Sequence, residues 1–208
     1  MEKNKQLLSR AIFLVVFGAA IFGIFWLGQV LAKPEDTSSV ISVGVFEKGK
    51  ATLVEYSDFQ CPACKMYYSV LKQLSDEFGD NLIWVYKYFP LKAIHKNAEL
   101  SAWAGESARL QGKFLEMEDI LFTKQDEWAS SDQALSLFTA YAISLGLDKD
   151  KFLKDIESDT VHEKIDNDYT EGVSLKVGGT PTFFLNGKKI TNPANYNEFK
   201  QLIQNEIK

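Results

Sequence analysis

The chain has two cysteines, and both stand in one segment, Cys61-Pro62-Ala63-Cys64, where a predicted strand turns into a predicted helix. Residues 51–57 are apolar and β-branched enough for a buried strand, and the chain runs from them directly to Cys61. Pro62 suits the first turn of a helix, because its missing N–H is not needed there. This spacing places the two sulfurs one helical turn apart, within bridging distance. It excludes a small fold held by several disulfides and a four-cysteine zinc site.

The sequence on either side of this segment predicts one α/β domain over residues 40–208. Predicted strands cover residues 40–46, 51–57, 82–89, 182–185 and 188–191. Asn186-Gly187 separates the last two strands and is typical of a two-residue hairpin. Apolar residues recur at helical spacing from about residue 92 to 175, and Asn195 with Glu198 predicts a capping box for a final helix. The order of elements predicts one sheet with an inserted helical domain.

Residues 11–32 form an uncharged run of 22 positions, preceded by Lys3, Lys5 and Arg10. A helix of that length is about 33 Å long, enough to cross the hydrocarbon core of a membrane. The positive residues before it place the N-terminus in the cytoplasm and residues 33–208 outside. We therefore expect residues 1–32 to be a membrane anchor and residues 33–39 to be a linker. A signal peptide cleaved near Ala32 is the alternative, although the run is longer than the usual signal core.

The charge of the exported part argues against nucleic acid as a partner. Residues 33–208 carry 20 basic and 27 acidic side chains, with no basic tract. The two histidines, His95 and His162, lie 67 positions apart and do not form a zinc-binding pattern with the cysteines. We expect both histidines at the surface or at helix ends, and we expect no cofactor besides the cysteine pair. The sequence leaves open a structural ion bound through oxygen ligands.

The position of Cys61 at a helix start predicts a reactive thiol. Unpaired backbone N–H groups and the positive end of the helix dipole stabilise a thiolate there and lower its pKa. Cys64 lies one turn inside the helix and is the natural resolving thiol. Because Pro62 and Ala63 add no polar side chain, we expect a moderately oxidising pair. A structural disulfide and half of a zinc site are the alternatives that the residues alone allow.

Two segments and the predicted helical domain together resemble the DsbA-like branch of the thioredoxin fold. The segments are EYSDFQCPAC, which begins at Glu55, and VGGTPTFF, which begins at Val177. The resemblance covers about residues 40–208. It implies that Cys61 is the exposed nucleophile, that Cys64 is its buried partner and that Pro181 is a cis-proline beside the pair. It also implies that the backbone of Thr180 binds an extended client peptide by strand addition.

The same resemblance implies roles for residues around the cysteine pair. Glu55 matches a buried acid that would relay the proton of Cys64, and Lys87 matches a position for a charged companion. A solvent-facing edge position is the alternative for Glu55, and a solvated side chain for Lys87. The candidates for the edge of a client-binding groove are Phe59, Pro62, Met66 and Phe183.

These observations predict a thiol–disulfide oxidoreductase that introduces disulfides into exported proteins through exchange at Cys61–Cys64. Its partners would be client proteins with cysteine thiols and, as the resemblance implies, a quinone-linked membrane protein that re-oxidises the pair. A reductase or isomerase of the same fold is the alternative. A peptide-binding or chaperone module without redox activity is a third hypothesis. The sequence does not determine the direction of electron flow.

Overall fold

A computed structural model of the protein describes residues 46–208. The predicted anchor or signal segment, the linker and the predicted strand 40–46, apart from Phe46, lie outside the described residues. Phe46 itself belongs to no strand. Within residues 46–208, no helix combines the length and the apolar character needed to cross a membrane.

The described part is an α/β domain with four strands and eight α-helices. In chain order the elements are β1 (Ala51–Ser57), α1 (Pro62–Phe78), β2 (Leu82–Tyr88), α2 (Ala98–Arg109), α3 (Phe114–Thr123), α4 (Gln125–Trp128), α5 (Ala134–Ser144), α6 (Lys149–Ile156), α7 (Asp159–Ser174), β3 (Thr182–Leu185), β4 (Lys188–Lys189) and α8 (Tyr196–Ile207). The sheet order is β2-β1-β3-β4, with β1 parallel to β2 and antiparallel to β3. This arrangement confirms a thioredoxin-like fold with inserted helices.

Local sequence signals explain most element boundaries. Pro62 occupies the first turn of α1 as predicted. Asn186 and Gly187 adopt positive φ angles of 46° and 79° in the hairpin turn. Asn195 accepts a hydrogen bond from the backbone N–H of Glu198 and so caps α8. The predicted boundaries differ at their ends: the last strand stops at Lys189, and the first inserted helix starts at residue 98, not at 92.

The two faces of the sheet are covered by different helices. On one face, α1 and α8 enclose an apolar cluster that includes Leu53 and Phe183. On the other face, α7 approaches closely, because a Cβ on Gly172 would lie 2.7 Å from a ring carbon of Phe89. All seven residues of β1 are buried, so this strand is the centre of the domain.

The inserted helices surround the end of β1 that leads to the cysteines. Their core includes Trp128 and Phe138, which are fully buried and pack edge to face. The same apolar cluster contains Phe59, Cys61 and Cys64. The cysteine pair therefore lies where the sheet and the helical domain meet.

Candidate functional site

Cys61 is the residue that caps the N-terminus of α1. Its backbone is extended, with φ of −73° and ψ of 122°, and its N–H donates to the carbonyl of Asp58 at 3.0 Å. Cys61 keeps 6% of its surface exposed, whereas Cys64, one turn into the helix, is fully buried. Both are free thiols in the structure. Only Cys61 can be reached from outside.

The Thr180-Pro181 peptide bond lies beside Cys61 and is cis. The Sγ of Cys61 lies 3.4 Å from the carbonyl oxygen of Thr180 and donates to it when the thiol is protonated. The antiparallel pairing of β3 with β1 brings this bend to the cysteines, because Thr182 lies opposite Tyr56 in the ladder. The fold thus brings Thr180 to Cys61, although 119 positions of sequence separate the two residues.

Hydrogen bonding makes Cys61 acidic. The hydrogen bond with the Cys64 thiol is the largest influence and lowers the pKa of Cys61 to about 5, although burial acts in the opposite direction. The Thr180 side chain and the backbone N–H groups of Cys64 and Ala63 lower this pKa further. At neutral pH the reduced pair therefore holds a thiolate at Cys61.

Cys64 has the opposite character. Burial raises the pKa of Cys64, and its hydrogen bond to Cys61 and the negative charge of Glu55 act in the same direction. Ser57 opposes them, because its hydroxyl can donate to the sulfur. Cys64 thus keeps its proton while Cys61 is ionised.

Glu55 is the buried acid that the sequence predicted beneath the pair. The residue is 1% exposed, and its two oxygens accept from Ser57 Oγ at 2.7 Å and from Trp84 Nε1 at 3.2 Å. Burial raises the pKa of Glu55 to about 7, although these two hydrogen bonds lower it. A carboxyl that titrates near neutral pH next to a thiol of high pKa can exchange a proton with that thiol.

Three residues with amide side chains link the loop before Cys61 to the helical domain: Gln60 in the loop, and Asn97 and Gln125 in the helical domain. Gln125 donates to the carbonyl oxygens of Phe59 at 2.7 Å and of Cys61 at 3.1 Å. Gln60 donates to Ala129 O at 2.8 Å and accepts from the backbone of Asn97 at 2.6 Å. We call Gln60, Asn97 and Gln125 the amide clamp.

Asp58 fixes the other side of the same loop. Its carboxylate accepts from the backbone N–H groups of Gln60 and Leu91 and lies 2.6 Å from Nδ1 of His95. The sequence predicted His95 at the surface or at a helix end. In the structure, His95 is instead the partner of the buried Asp58 carboxylate. His162 stacks on Trp103 away from this loop.

Lys87 does not accompany the cysteine pair. The parallel register places Lys87 opposite Tyr56 and Glu55 opposite Tyr86, so Lys87 and Glu55 point to opposite faces of the sheet. Its ammonium forms ion pairs with Asp168 at 3.0 Å and Glu171 at 2.8 Å. The predicted role of Lys87 as a companion of the redox centre is wrong.

Two of the four predicted groove residues are also in the wrong place. Phe59 is 1% exposed and stacks on Tyr86 with ring centroids 4.8 Å apart, and Phe183 is fully buried between Tyr67 and Phe199. Both therefore belong to the core and cannot form the edge of a groove. Pro62 and Met66 are exposed, with Met66 at 66%, and remain available to a client.

The sequence interpretation missed several contributors to the site. Ser57 could have been found, because it lies two residues after Glu55 on the same face of a strand. Trp84 and the amide clamp depend on the tertiary fold and carry no local signal. Across the described part of the chain, no cluster of three His, Cys, Asp or Glu side chains is placed to hold a metal ion. The reactive groups of the redox centre are the Cys61 thiolate, the Cys64 thiol and the Glu55 carboxyl.

Comparison with known proteins places these features in a family. A family model described as thioredoxin matches residues 41–205. A curated relative, the Na(+)/H(+) antiporter NhaA 1 of Mycolicibacterium gilvum, is 38% identical over 144 residues, which are 68% of this chain and 22% of the relative. The chain therefore spans about a fifth of that relative's length.

Solved structures share the fold at lower sequence identity. BdbD from Bacillus subtilis, in its oxidised form, superimposes with a TM-score of 0.68 at 24% identity, covering 79% of this chain and 90% of that one. The alpha-DsbA1 of Wolbachia pipientis gives a TM-score of 0.67 at 20% identity, covering 76% and 86%. The arrangement of sheet and inserted helices is thus that of DsbA-like proteins.

Proposed function

This chain belongs to the thioredoxin family, and from that premise we propose that it is a thiol–disulfide oxidoreductase that introduces disulfides into exported proteins. The observation that carries the proposal is the contrast between an acidic, accessible Cys61 and a buried, protonated Cys64. Stabilising one thiolate favours the reduced form of the pair. The disulfide form is then a strong electron acceptor.

The exchange proceeds in two balanced steps. A client thiolate attacks Sγ of Cys61 in the disulfide, and Cys64 leaves with the bonding electrons and takes a proton from Glu55. A second client thiolate then attacks the client sulfur of the mixed disulfide, and Cys61 leaves as its stable thiolate. The client gains one disulfide, and the protein ends as a dithiol with Cys61 ionised.

The surroundings of the pair support a client bound in extended form. The cis bend at Thr180-Pro181 presents backbone next to Cys61, where a peptide can add as a strand. Pro62 and Met66 offer exposed apolar surface on the adjoining turn of α1. Pro62 and Met66 would form the edge of the groove that binds the client peptide.

The cellular setting belongs to the proposal as well. Residues 11–32 would anchor the chain with residues 33–208 outside the cell membrane, or would be cleaved near Ala32 and release them. Because each turn of oxidation leaves a dithiol, the protein needs an oxidising partner, for which we propose a quinone-linked membrane protein. The clients would be exported proteins with free thiols.

The midpoint potential of Cys61–Cys64 tests the direction of exchange. We expect a value well above that of thioredoxin, which is about −270 mV, when the pair is equilibrated with glutathione. A potential at or below that value would identify a reductase and refute the oxidase proposal.

A trapping experiment tests the activity itself. In Cys64→Ala the Cys61 thiolate can attack a disulfide of an exported client, releasing one client sulfur as a thiolate, and no second thiol of the protein can break the mixed disulfide, so clients should be recovered covalently bound in intact cells. The matched variant Cys61→Ser should trap none. Equal recovery from both variants would show that the pair does not act as a dithiol catalyst.

A further inference from the structure

Glu118 of α3 is a buried carboxyl that interacts electrostatically with Glu55. The residue is 2% exposed, and its Oε1 has no hydrogen-bond partner within the described part of the chain. An unpaired carboxyl in the interior destabilises the folded state, because it loses its bonds to water and gains none in return. A leucine would fill this position more favourably, so the carboxyl calls for a role beyond packing.

Glu118 lines two surface cavities that meet at Trp84. One cavity, of about 540 Å³, lies between α1, β2 and α3, and the other, of about 300 Å³, lies between β2, α2 and α3. Trp84, Leu115 and Glu118 line both of them. Both volumes are large enough for several water molecules. Glu118 therefore lies in the wall of two cavities that water can occupy.

Trp84 contacts the redox centre and also lines both cavities. Its indole N–H donates to Glu55 Oε2 at 3.2 Å, while its ring forms part of the wall next to Glu118. Glu55 is 1% exposed and Cys64 is fully buried, so neither has direct contact with bulk water. Each redox cycle nevertheless adds one proton to Cys64 and later removes it.

We propose that Glu118 passes protons between the water of these cavities and Glu55, and thereby supplies and removes the proton of Cys64. The inference rests on the proposed function. When a client opens the disulfide, Glu55 gives its proton to Cys64, Glu118 reprotonates Glu55, and cavity water reprotonates Glu118. Re-oxidation runs the same transfers in reverse, so no proton is gained or lost within the protein. Glu118 acts through Glu55 and does not touch the sulfurs in this scheme.

Burial and the charges around Glu118 favour the protonated form of its carboxyl. Burial raises the pKa of Glu118, and the negative charge of Glu55 acts in the same direction. The titratable and charged groups that face it are Glu55 of β1, Tyr86 of β2, Tyr68, Lys72 and Asp76 of α1, Arg109 of α2, and Glu116 and Asp119 of α3. Both cations already pair with other carboxylates, Lys72 with Asp119 and Arg109 with Glu106.

The rate of disulfide closure tests the proposal. The reduced protein is mixed rapidly with an excess of a peptide disulfide, and formation of the mixed disulfide at Cys61 and closure by Cys64 are followed separately. Glu118→Gln should slow closure about tenfold near pH 7 and shift its pH–rate profile, while the first step keeps its rate. The control Glu163→Gln removes a charge from an exposed side chain of α7 that lines neither cavity, and should alter neither step.

Infrared difference spectra of the unaltered sequence provide a second readout that does not depend on a variant folding. With glutamate carboxyls labelled with ¹³C, oxidised-minus-reduced spectra should contain changes from two protonated carboxyls. One should be absent in Glu55→Gln and the other in Glu118→Gln.

The outcomes separate this inference from the proposed function. Closure at the normal rate in Glu118→Gln, or a spectrum with a single responding carboxyl, would refute the role of Glu118 while the protein still oxidises peptides. If the unaltered protein forms no mixed disulfide at all, the proposed function fails, and the role of Glu118 fails with it.

Discussion

The two sides of the Cys61–Cys64 pair differ in what they offer a sulfur. On the outer side, Cys61 meets backbone N–H groups of α1, the Cys64 thiol and the Thr180 side chain, all of which favour a thiolate. On the inner side, Cys64 meets a carboxyl, apolar surroundings and a sulfur that already carries the charge. The two residues are three positions apart in one helix.

The difference shows that hydrogen-bond donors outweigh burial at Cys61, whereas burial dominates at Cys64. Cys61 is itself only 6% exposed, yet its pKa falls to about 5 because donors converge on it. Cys64 lacks such donors except for Ser57, so burial raises its pKa. The fold assigns the roles of nucleophile and proton-bound partner before any client arrives.

Replacing either cysteine should have the largest effect on this contrast. We expect Cys61→Ser to lose more than about a thousandfold in peptide oxidation, because no other thiol can be reached. Cys64→Ser should still form mixed disulfides at Cys61 but fail to close them. Mass spectrometry of the adducts distinguishes the two. Equal adduct formation by both variants would contradict the assigned roles.

The pH dependence of the free energy of unfolding tests how strongly the fold stabilises the Cys61 thiolate. In the unfolded dithiol chain Cys61 keeps its proton up to about pH 8.5, whereas in the folded chain it loses it near pH 5. The unfolded state thus binds more protons between these values. The free energy of unfolding of the dithiol form, relative to the disulfide form, should therefore rise with pH by up to about 1.4 kcal/mol per unit.

This rise should be absent below pH 5, where both states hold the proton. Subtracting the disulfide form removes most of the titration of Glu55, and the part that remains comes from the Cys61 thiolate, which raises the pKa of Glu55 in the dithiol form. Urea unfolding of each form at a series of pH values gives the difference. A flat difference from pH 5 to 8 would mean that the fold does not stabilise the thiolate.

Removing the buried acid tests the inner side. Glu55→Gln keeps the shape and the hydrogen bond from Trp84 but cannot exchange a proton, so closure by Cys64 should slow by about a hundredfold. The inflection near pH 7 in the closure rate should disappear with it, because the pKa of Glu55 is about 7. Stopped-flow fluorescence of Trp84 and its neighbours can follow the step. An unchanged profile would assign the proton to another group.

The amide clamp should have the smallest effect, through stability rather than chemistry. Gln125→Ala removes two hydrogen bonds to buried carbonyl oxygens and should lower the free energy of unfolding by about 1–3 kcal/mol. Gln133→Ala, at an exposed position, should change it by less than about 0.5 kcal/mol. Denaturant titration of both variants makes the comparison. Equal stabilities would show that the clamp does not hold the loop.

Features with short-range causes could be predicted from the sequence. Pro62 determines the start of α1, Asn186-Gly187 the hairpin, and Asn195 with Glu198 the last helix cap, because each signal acts within a few residues. Glu55 and Pro181 followed from the resemblance to a family. Each of these residues lies where it was expected.

The errors concern which way side chains point. Lys87 required the register between β1 and β2, since a shift of one residue reverses the face. Phe59 follows the last strand residues by a short loop, and only the packing of the inserted helices determines that its ring turns inward. Gln125 acts on residues 64 and 66 positions earlier in the chain. No local pattern carries such information.

The amide clamp limits how far the redox centre can be treated as a module. The loop that ends at Cys61 is supported by the side chain of Gln125 in α4 and by the backbone N–H of Asn97 before α2, so a transplanted Cys-Pro-Ala-Cys peptide would leave that support behind. Exchanging the inserted helices between related proteins would remove these contacts and loosen the loop that carries Cys61. The inserted helices and the redox loop must then change together in this scaffold.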